Sequence, residues 1–151
     1  MTQTVTIDLD ARSYDVVIGD MALDAAMDQL VGLLPRKRAF VITDEAVAPL
    51  HLAGLAARLE HRGIAIEPMI VPAGESAKKL DVVMGIVDSL LEARIERSEP
   101  VIALGGGVVG DMTGFAAAIT KRGTKFAQIP TTLLAQVDSS VGGKTGVNTR
   151  H

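Results

Sequence analysis

The stretch "PVIALGGGVVGDMTGFAAAIT", Pro100 to Thr120, sets a short aliphatic segment directly against three consecutive glycines and a run of small apolar residues. An aliphatic run closed by glycine reads as a buried strand, and the following run reads as a helix. Gly105, Gly107 and Gly110 fit G-x-G-x-x-G at that junction. Bare backbone there lets a pyrophosphate approach, and the helix start offers amide donors and a positive dipole end. The pattern departs from the usual dinucleotide fingerprint because it lies late in the chain. In addition, the next strand, "KFAQIP", ends with no acid to hold a ribose. Asp44 or Glu75, from earlier strand ends, could take that part. A tight turn with close helix–sheet packing is the competing account of the same glycines.

Working outward, strand-like and helix-like segments alternate. "TVTIDL" (4–9) alternates with period two, and "YDVVIG" (14–19) is a second strand. Leu23, Met27, Leu30 and Leu34 mark a helix that Pro35 stops. "RAFVIT" (38–43) is a strand, and Leu52, Leu55 and Leu59 share the face of a helix ending at Gly63, a stripe that His51 joins. "IAIEPMIVP" (64–72) is strand-like, with Pro68 suited to a sheet edge. Leu80, Val83, Val87 and Leu90 form one helical stripe, "TKFAQIP" (124–130) is the last strand, and "TTLLAQVDSS" (131–140) opens a helix with threonine available to cap it. This order predicts an α/β, Rossmann-like fold, a mostly parallel sheet with helices on both faces, in one domain over residues 1–151.

Open parallel sheets bind ligands beyond the carboxyl ends of their strands. Asp44 follows "FVIT", Gly74 and Glu75 follow "MIVPA", Gly105, Gly106 and Gly107 follow "VIAL", and Thr131 and Thr132 follow "FAQIP". These four ends predict a single rim. Asp111, just after the glycines, is either a helix cap or a functional carboxylate, and Thr131 and Thr132 carry the same ambiguity. Asp138 falls late in an apolar helix, where the carbonyl end disfavours an anion, so it calls for a cation or a polar ligand. Lys144, in the glycine-rich loop "VGGKTG", is the candidate partner, with a solvated surface pair as the plainer reading. The segment "DSSVGGKTG" (138–146) imitates a nucleotide phosphate loop, but Asp138 stands where the opening glycine is required. Arg122, beside Gly123, is an anion contact or an exposed charge.

Composition removes several classes of function. A net charge of −3 and only four aromatic residues (Tyr14, Phe40, Phe115, Phe126) argue against a general nucleic-acid binder. Arg36-Lys37-Arg38 reads as a solvated connection. No cysteine is present, which excludes disulfides, thiolate metal sites and thiol nucleophiles. His51, His61 and His151 stand at no metal-ligand spacing, and Ser139 and Ser140 have no neighbouring base. With no secretory leader and no membrane-spanning apolar run, a cytoplasmic location is expected.

The block "GGGVVGDMTGFAAA" (105–118) with "KRGTKFAQIPTTLLAQVDSSVGGKTGVN" (121–148), together with "PAGE" (72–75) and Lys78, resembles the 3-dehydroquinate synthases. The resemblance implies the N-terminal NAD-binding α/β domain of a two-domain homodimer. The family's helical domain, with its zinc or cobalt ligands, is expected to be absent from this chain, and the chain alone is expected to be inactive. It further implies a shikimate-pathway lyase that converts 3-deoxy-D-arabino-heptulosonate 7-phosphate to 3-dehydroquinate and phosphate, with NAD taking up and returning a hydride. On matching positions, Asp44, Glu75 and Lys78 would line the NAD cleft, and Gly105, Gly106, Gly107 and Asp111 would meet the pyrophosphate and adjoining groups, with Thr131 and Thr132 nearby. Asp138 and Lys144 would hold substrate hydroxyls, and Arg122 would meet the substrate phosphate, from this chain or a neighbouring subunit. Related sugar-phosphate cyclases, iron-type or polyol dehydrogenases, and a bare NAD-binding module are the alternatives.

Overall fold

The computed structural model describes residues 1–150, so His151 lies outside the described residues. β1 (Gln3–Ile7) and β2 (Tyr14–Ile18) pair antiparallel, Val5 opposite Val16 and Ile7 opposite Tyr14. Then follow α1 (Ala22–Gly32), β3 (Arg38–Asp44), α2 (Ala53–Glu60), β4 (Ala65–Val71), α3 (Leu80–Glu92), β5 (Val101–Gly105), α4 (Gly107–Ile119) and β6 (Phe126–Pro130). The last four strands form a parallel sheet in the order β4-β3-β5-β6.

Alternation along β3 divides the core in two. Phe40 and Ile42 turn to the face covered by α3 and α4, while Ala39 and Val41 turn to the face covered by α1 and α2. All four are fully buried, and each large aliphatic or aromatic side chain so placed contributes about 1.5–3 kcal/mol. The expected helix-covered parallel sheet is therefore present. Pro68 sits on β4, an edge strand that pairs only with β3, the place in a sheet where a residue without an N–H is tolerated.

β1 and β2, both expected as strands, form their own two-stranded antiparallel sheet, separate from the parallel one. Three expectations need correction. α1 stops at Gly32, so Leu34 closes the core from the following turn. Leu80 opens α3 at the sheet's carboxyl edge and is half exposed; the buried stripe is Val83, Ile86, Val87 and Leu90. "TTLLAQVDSS" gives only a short, wide helical turn, in which Ser140 N donates to Ala135 O across five residues (3.1 Å). Leu133, Leu134 and Val137 of that turn stay exposed, so Asp138 does not end an apolar, packed helix.

The amino edge of the sheet is held by charge. Arg38 makes a two-pronged contact with the buried Glu99, Nε to Oε1 at 2.6 Å and Nη2 to Oε2 at 2.9 Å. Its guanidinium also donates to the carbonyls of Ala93 (2.9 Å) and Arg94 (3.0 Å) after α3, and lies 4.7 Å from the Phe40 ring centroid. Burial pushes the Glu99 carboxyl upward, but hydrogen bonds from Arg38 and the Glu96 amide, with the charges of Arg38 and Arg36, outweigh it and hold the carboxyl below its usual range. No helix among the described residues is long and apolar enough to cross a membrane.

Candidate functional site

All four parallel strands deliver their carboxyl ends to one margin. Asp44 is opposite Val71, Gly105 opposite Pro130 and Ile42 opposite Ala103, which puts Asp44 and the glycine bend at the same level. Asp44 Oδ1 accepts from the amides of Ala46 (2.9 Å) and Val47 (2.8 Å), so this nearly buried carboxylate stiffens the turn that follows β3.

The glycine bend combines both accounts that the sequence left open. A Cβ on Gly105 would lie 2.7 Å from Val109 Cβ, and one on Gly110 would lie 2.7 Å from Gln128 Oε1. Those two glycines let α4 pack closely on the sheet. Gly106 and Gly107 differ, because their would-be Cβ atoms meet only the side chains of Thr132 (3.1 Å) and Ser139 (2.9 Å) at the rim. Among the described residues no side chain caps α4, so its first-turn amides are open to a ligand or to solvent. Thr131 Oγ1 is buried beside this bend with no partner among the described residues, while Thr132 Oγ1 accepts from the Ala135 amide (3.2 Å), the capping role. An open helix start and an orphan hydroxyl fit the phosphate groups of a dinucleotide.

Two ion pairs flank the bend. Asp111 is the fifth residue of α4, too far in to cap it; its Oδ2 instead meets Lys78 Nζ at 2.5 Å, with 17% and 19% of the Lys78 and Asp111 side chains exposed. Asp138 pairs with Lys144, both about half exposed. Gly142 (φ 93°) and Gly143 (φ 69°) fold the loop back to make that contact, in a region that side chains rarely adopt. Ser139 stands next to Gly107, which brings this pair to the same rim. Gly74 (φ 91°) starts the turn carrying Glu75, and Glu75 Oε1 accepts from Asn148 Nδ2 at 2.7 Å.

Arg122 is not brought to this rim. It follows α4 at the far end of a 13-residue helix, roughly 20 Å from the glycine bend at 1.5 Å per residue. Lys121 (φ 48°) and Arg122 (φ 65°) take left-handed backbone there. A part in the same site would require a second subunit. Among the described residues, no three His, Cys, Asp or Glu side chains gather to hold a metal ion. Sequence reasoning missed Asn148, Ser139, Gln128 and Tyr14, whose hydroxyl accepts from the Gly142 amide (3.0 Å). These polar groups have no motif spacing to single them out, and only folding makes them neighbours.

Comparison with known proteins agrees with this architecture. Residues 68–151 match the family model described as 3-dehydroquinate synthase N-terminal. The 3-dehydroquinate synthase of Rhizobium leguminosarum bv. trifolii is 52% identical over 149 residues, spanning 99% of this chain and 40% of that protein. The one from Agrobacterium fabrum is 51% identical over 147 residues, 97% of this chain and 39% of that protein. The chain thus spans about two fifths of the length of these relatives. Among solved structures, 2-epi-5-epi-valiolone synthase from Streptomyces hygroscopicus subsp. jinggangensis, with NAD+ and Zn2+ bound, superposes with a TM-score of 0.72 at 38% identity, over 75% of this chain and 32% of that one. A 2-deoxy-scyllo-inosose synthase superposes with a TM-score of 0.84 over 98% of this chain and 41% of that one; at 24% identity it speaks for the fold alone.

Proposed function

The chain belongs to the 3-dehydroquinate synthase family, and from that premise we propose that it forms the NAD-binding part of an enzyme converting 3-deoxy-D-arabino-heptulosonate 7-phosphate to 3-dehydroquinate and phosphate. The carrying observation is the uncapped start of α4 at the glycine bend, flanked on the same rim by Lys78–Asp111 and Asp138–Lys144. Gly106, Gly107 and the first-turn amides would receive the pyrophosphate of NAD, with Thr131 Oγ1 gaining a partner. Asp44, Glu75 and Lys78 would line the rest of the cofactor cleft. Bound NAD+ would supply reversible hydride uptake at a substrate hydroxyl.

The chain's own groups would do the positioning. Lys78 neutralises Asp111, so that an anion can approach α4 without meeting a bare carboxylate. Asp138 can accept from a substrate hydroxyl and Lys144 can donate to one, which fixes a polyol against the cofactor. Arg122, remote in this chain, would serve the phosphate of a substrate bound by a neighbouring subunit in a homodimer. No residue of this chain is assigned to the zinc or cobalt that the resemblance implies.

Calorimetric titration of the 151-residue chain with NAD+ tests the reading: saturable heat in the millimolar range is expected for the chain, and Lys78→Ala should reduce it. No heat at millimolar NAD+ would mean that this chain does not build the cleft alone. A second reading, a related sugar-phosphate cyclase, is favoured by the 38% identity to the valiolone synthase. Substrate profiling by phosphate release separates the two, and a dehydrogenase would instead accumulate NADH.

A further inference from the structure

Residues 145–148 run as a strap from α4, which bears Gly107 and Asp111, to the turn before α3 that carries Glu75 and Lys78. Gly114 has no side chain, and Thr145 occupies the space where its Cβ would stand. The Gly146 amide donates to Asp111 O (3.4 Å), and Val147 packs on the cluster between α3 and α4. At the end of the strap, the Asn148 amide donates to Lys78 O (2.8 Å), making a parallel bridge with Lys79. The Asn148 side chain then donates to Glu75 Oε1 at 2.7 Å. Lys144 therefore lies at one end of a segment whose other end grips the turn of Glu75 and Lys78.

Glu75 is exposed, and its long side chain leaves a short turn that begins at a left-handed glycine. Without a partner its carboxylate would sample several rotamers, and the hydrogen bond from Asn148, strengthened by the carboxylate's charge, selects one. We propose that Asn148 is a positioning residue: its side-chain amide orients Glu75, and its backbone ties the Lys144 loop to the Glu75–Lys78 turn so that the two move together. The proposal rests on the reading of Glu75 and Lys78 as NAD contacts.

Asn148→Ala removes the side-chain contact and keeps the backbone bond to Lys78 O, whereas Asn148→Asp sets a carboxylate against Glu75. Two measurements on the 151-residue chain separate the possibilities: NAD+ affinity by calorimetry, and the rate of trypsin cleavage after Lys79 and Lys144. Both variants should keep the wild-type unfolding midpoint to within about 2 °C, because an exposed contact contributes little to stability. Alanine should weaken NAD+ binding about three- to tenfold and aspartate more, with cleavage at both lysines accelerated in the same order, as expected for loss of a hydrogen bond to a charged group. Asn148→Gln, which retains the donor, should fall between alanine and the wild type. If the wild-type chain takes up no NAD+, this chain does not build the cofactor cleft alone, and the cleavage order alone decides whether the strap is latched. Variants matching the wild type in cleavage, or aspartate matching alanine, would overturn the proposal.

Discussion

Substituting alanine at two glycines of the same bend should give opposite phenotypes. At Gly105 the new Cβ would lie 2.7 Å from Val109 Cβ and Cγ2 and 3.0 Å from Cγ1. Val109 is fully buried and β-branched, so in a helix its rotamer cannot swing clear. The helix itself must back away from β5. Overpacking of this kind costs about 1–3 kcal/mol. In a domain of this size each kcal/mol lowers Tm by about 2–4 °C, so a fall of roughly 2–12 °C is expected. At Gly107 the new Cβ would lie 2.9 Å from Ser139 Oγ alone, with Ser139 Cβ at 3.5 Å, and a rim hydroxyl can rotate aside. Stability should then stay within about 0.5 kcal/mol of wild type. On the proposed function the methyl would nevertheless stand where an anion approaches the α4 amides, and NAD+ affinity should fall about tenfold, equivalent to about 1.4 kcal/mol. Thermal unfolding with calorimetric NAD+ titration on both variants makes the comparison. A Gly105→Ala protein as stable as wild type, or a Gly107→Ala protein that binds NAD+ undiminished, would refute the division of the bend into a packing glycine and a site glycine.

Glu99→Gln should destabilise the chain by about 3 kcal/mol in urea unfolding, since it leaves the Arg38 guanidinium facing a neutral amide at a buried position. Because the folded-state pKa of Glu99 is lowered, its stabilisation is complete above the unfolded carboxyl value of about 4.3 and is lost as pH falls through the folded value; the gap between wild type and Glu99→Gln should narrow progressively as pH falls below that unfolded value. Lys144→Ala should leave Tm unchanged, its ion pair being half exposed, while kcat/KM of an enzyme carrying this chain with its remaining domain falls more than about tenfold; a loss within about twofold, well under 1 kcal/mol, contradicts the substrate-contact role. Replacing Leu134, which is 66% exposed, by serine should change stability by less than about 0.5 kcal/mol in urea unfolding; a marked loss of Tm would show that this turn is packed in solution.

The rim was readable because strand ends are a local signal. Asp44, Glu75, the triple glycine and Thr131 each follow an aliphatic run, and parallel pairing carries all such ends to one margin. The nature of each contact was less readable. Asp111 looks like a first-turn residue until α4 is seen to start at Gly107, after which only a tertiary partner, Lys78, accounts for it. Leu80 matches a helical stripe by spacing, yet at the first turn of α3 the stripe runs past the edge of the sheet into solvent. Arg122 sits close in sequence to the rim residues at 131–132, but β6 crosses the full sheet between them, and that crossing is not encoded in spacing. Asn148 carries no local signal because its partners lie some 70 residues earlier, with Glu75 at a separation of 73.

The two ion pairs differ in what they make available to ligands. Lys78–Asp111 is more than four fifths shielded, so its attraction is less screened and its geometry stiffer; Lys144–Asp138 is half exposed. A pair of the second kind contributes about 0–1 kcal/mol and can open at little cost, letting each partner turn to a hydroxyl of an arriving polyol. Opening the first kind would leave a poorly solvated carboxylate one turn inside α4, opposing any anion at the helix start. On the proposed function, the shielded pair would therefore suit a cofactor that remains bound, and the exposed pair a substrate that comes and goes. The strap through Asn148 joins the loop of the exposed pair to the turn of the shielded one. Ordering of either should lower the entropic cost of ordering the other, giving cofactor and substrate a favourable mutual coupling.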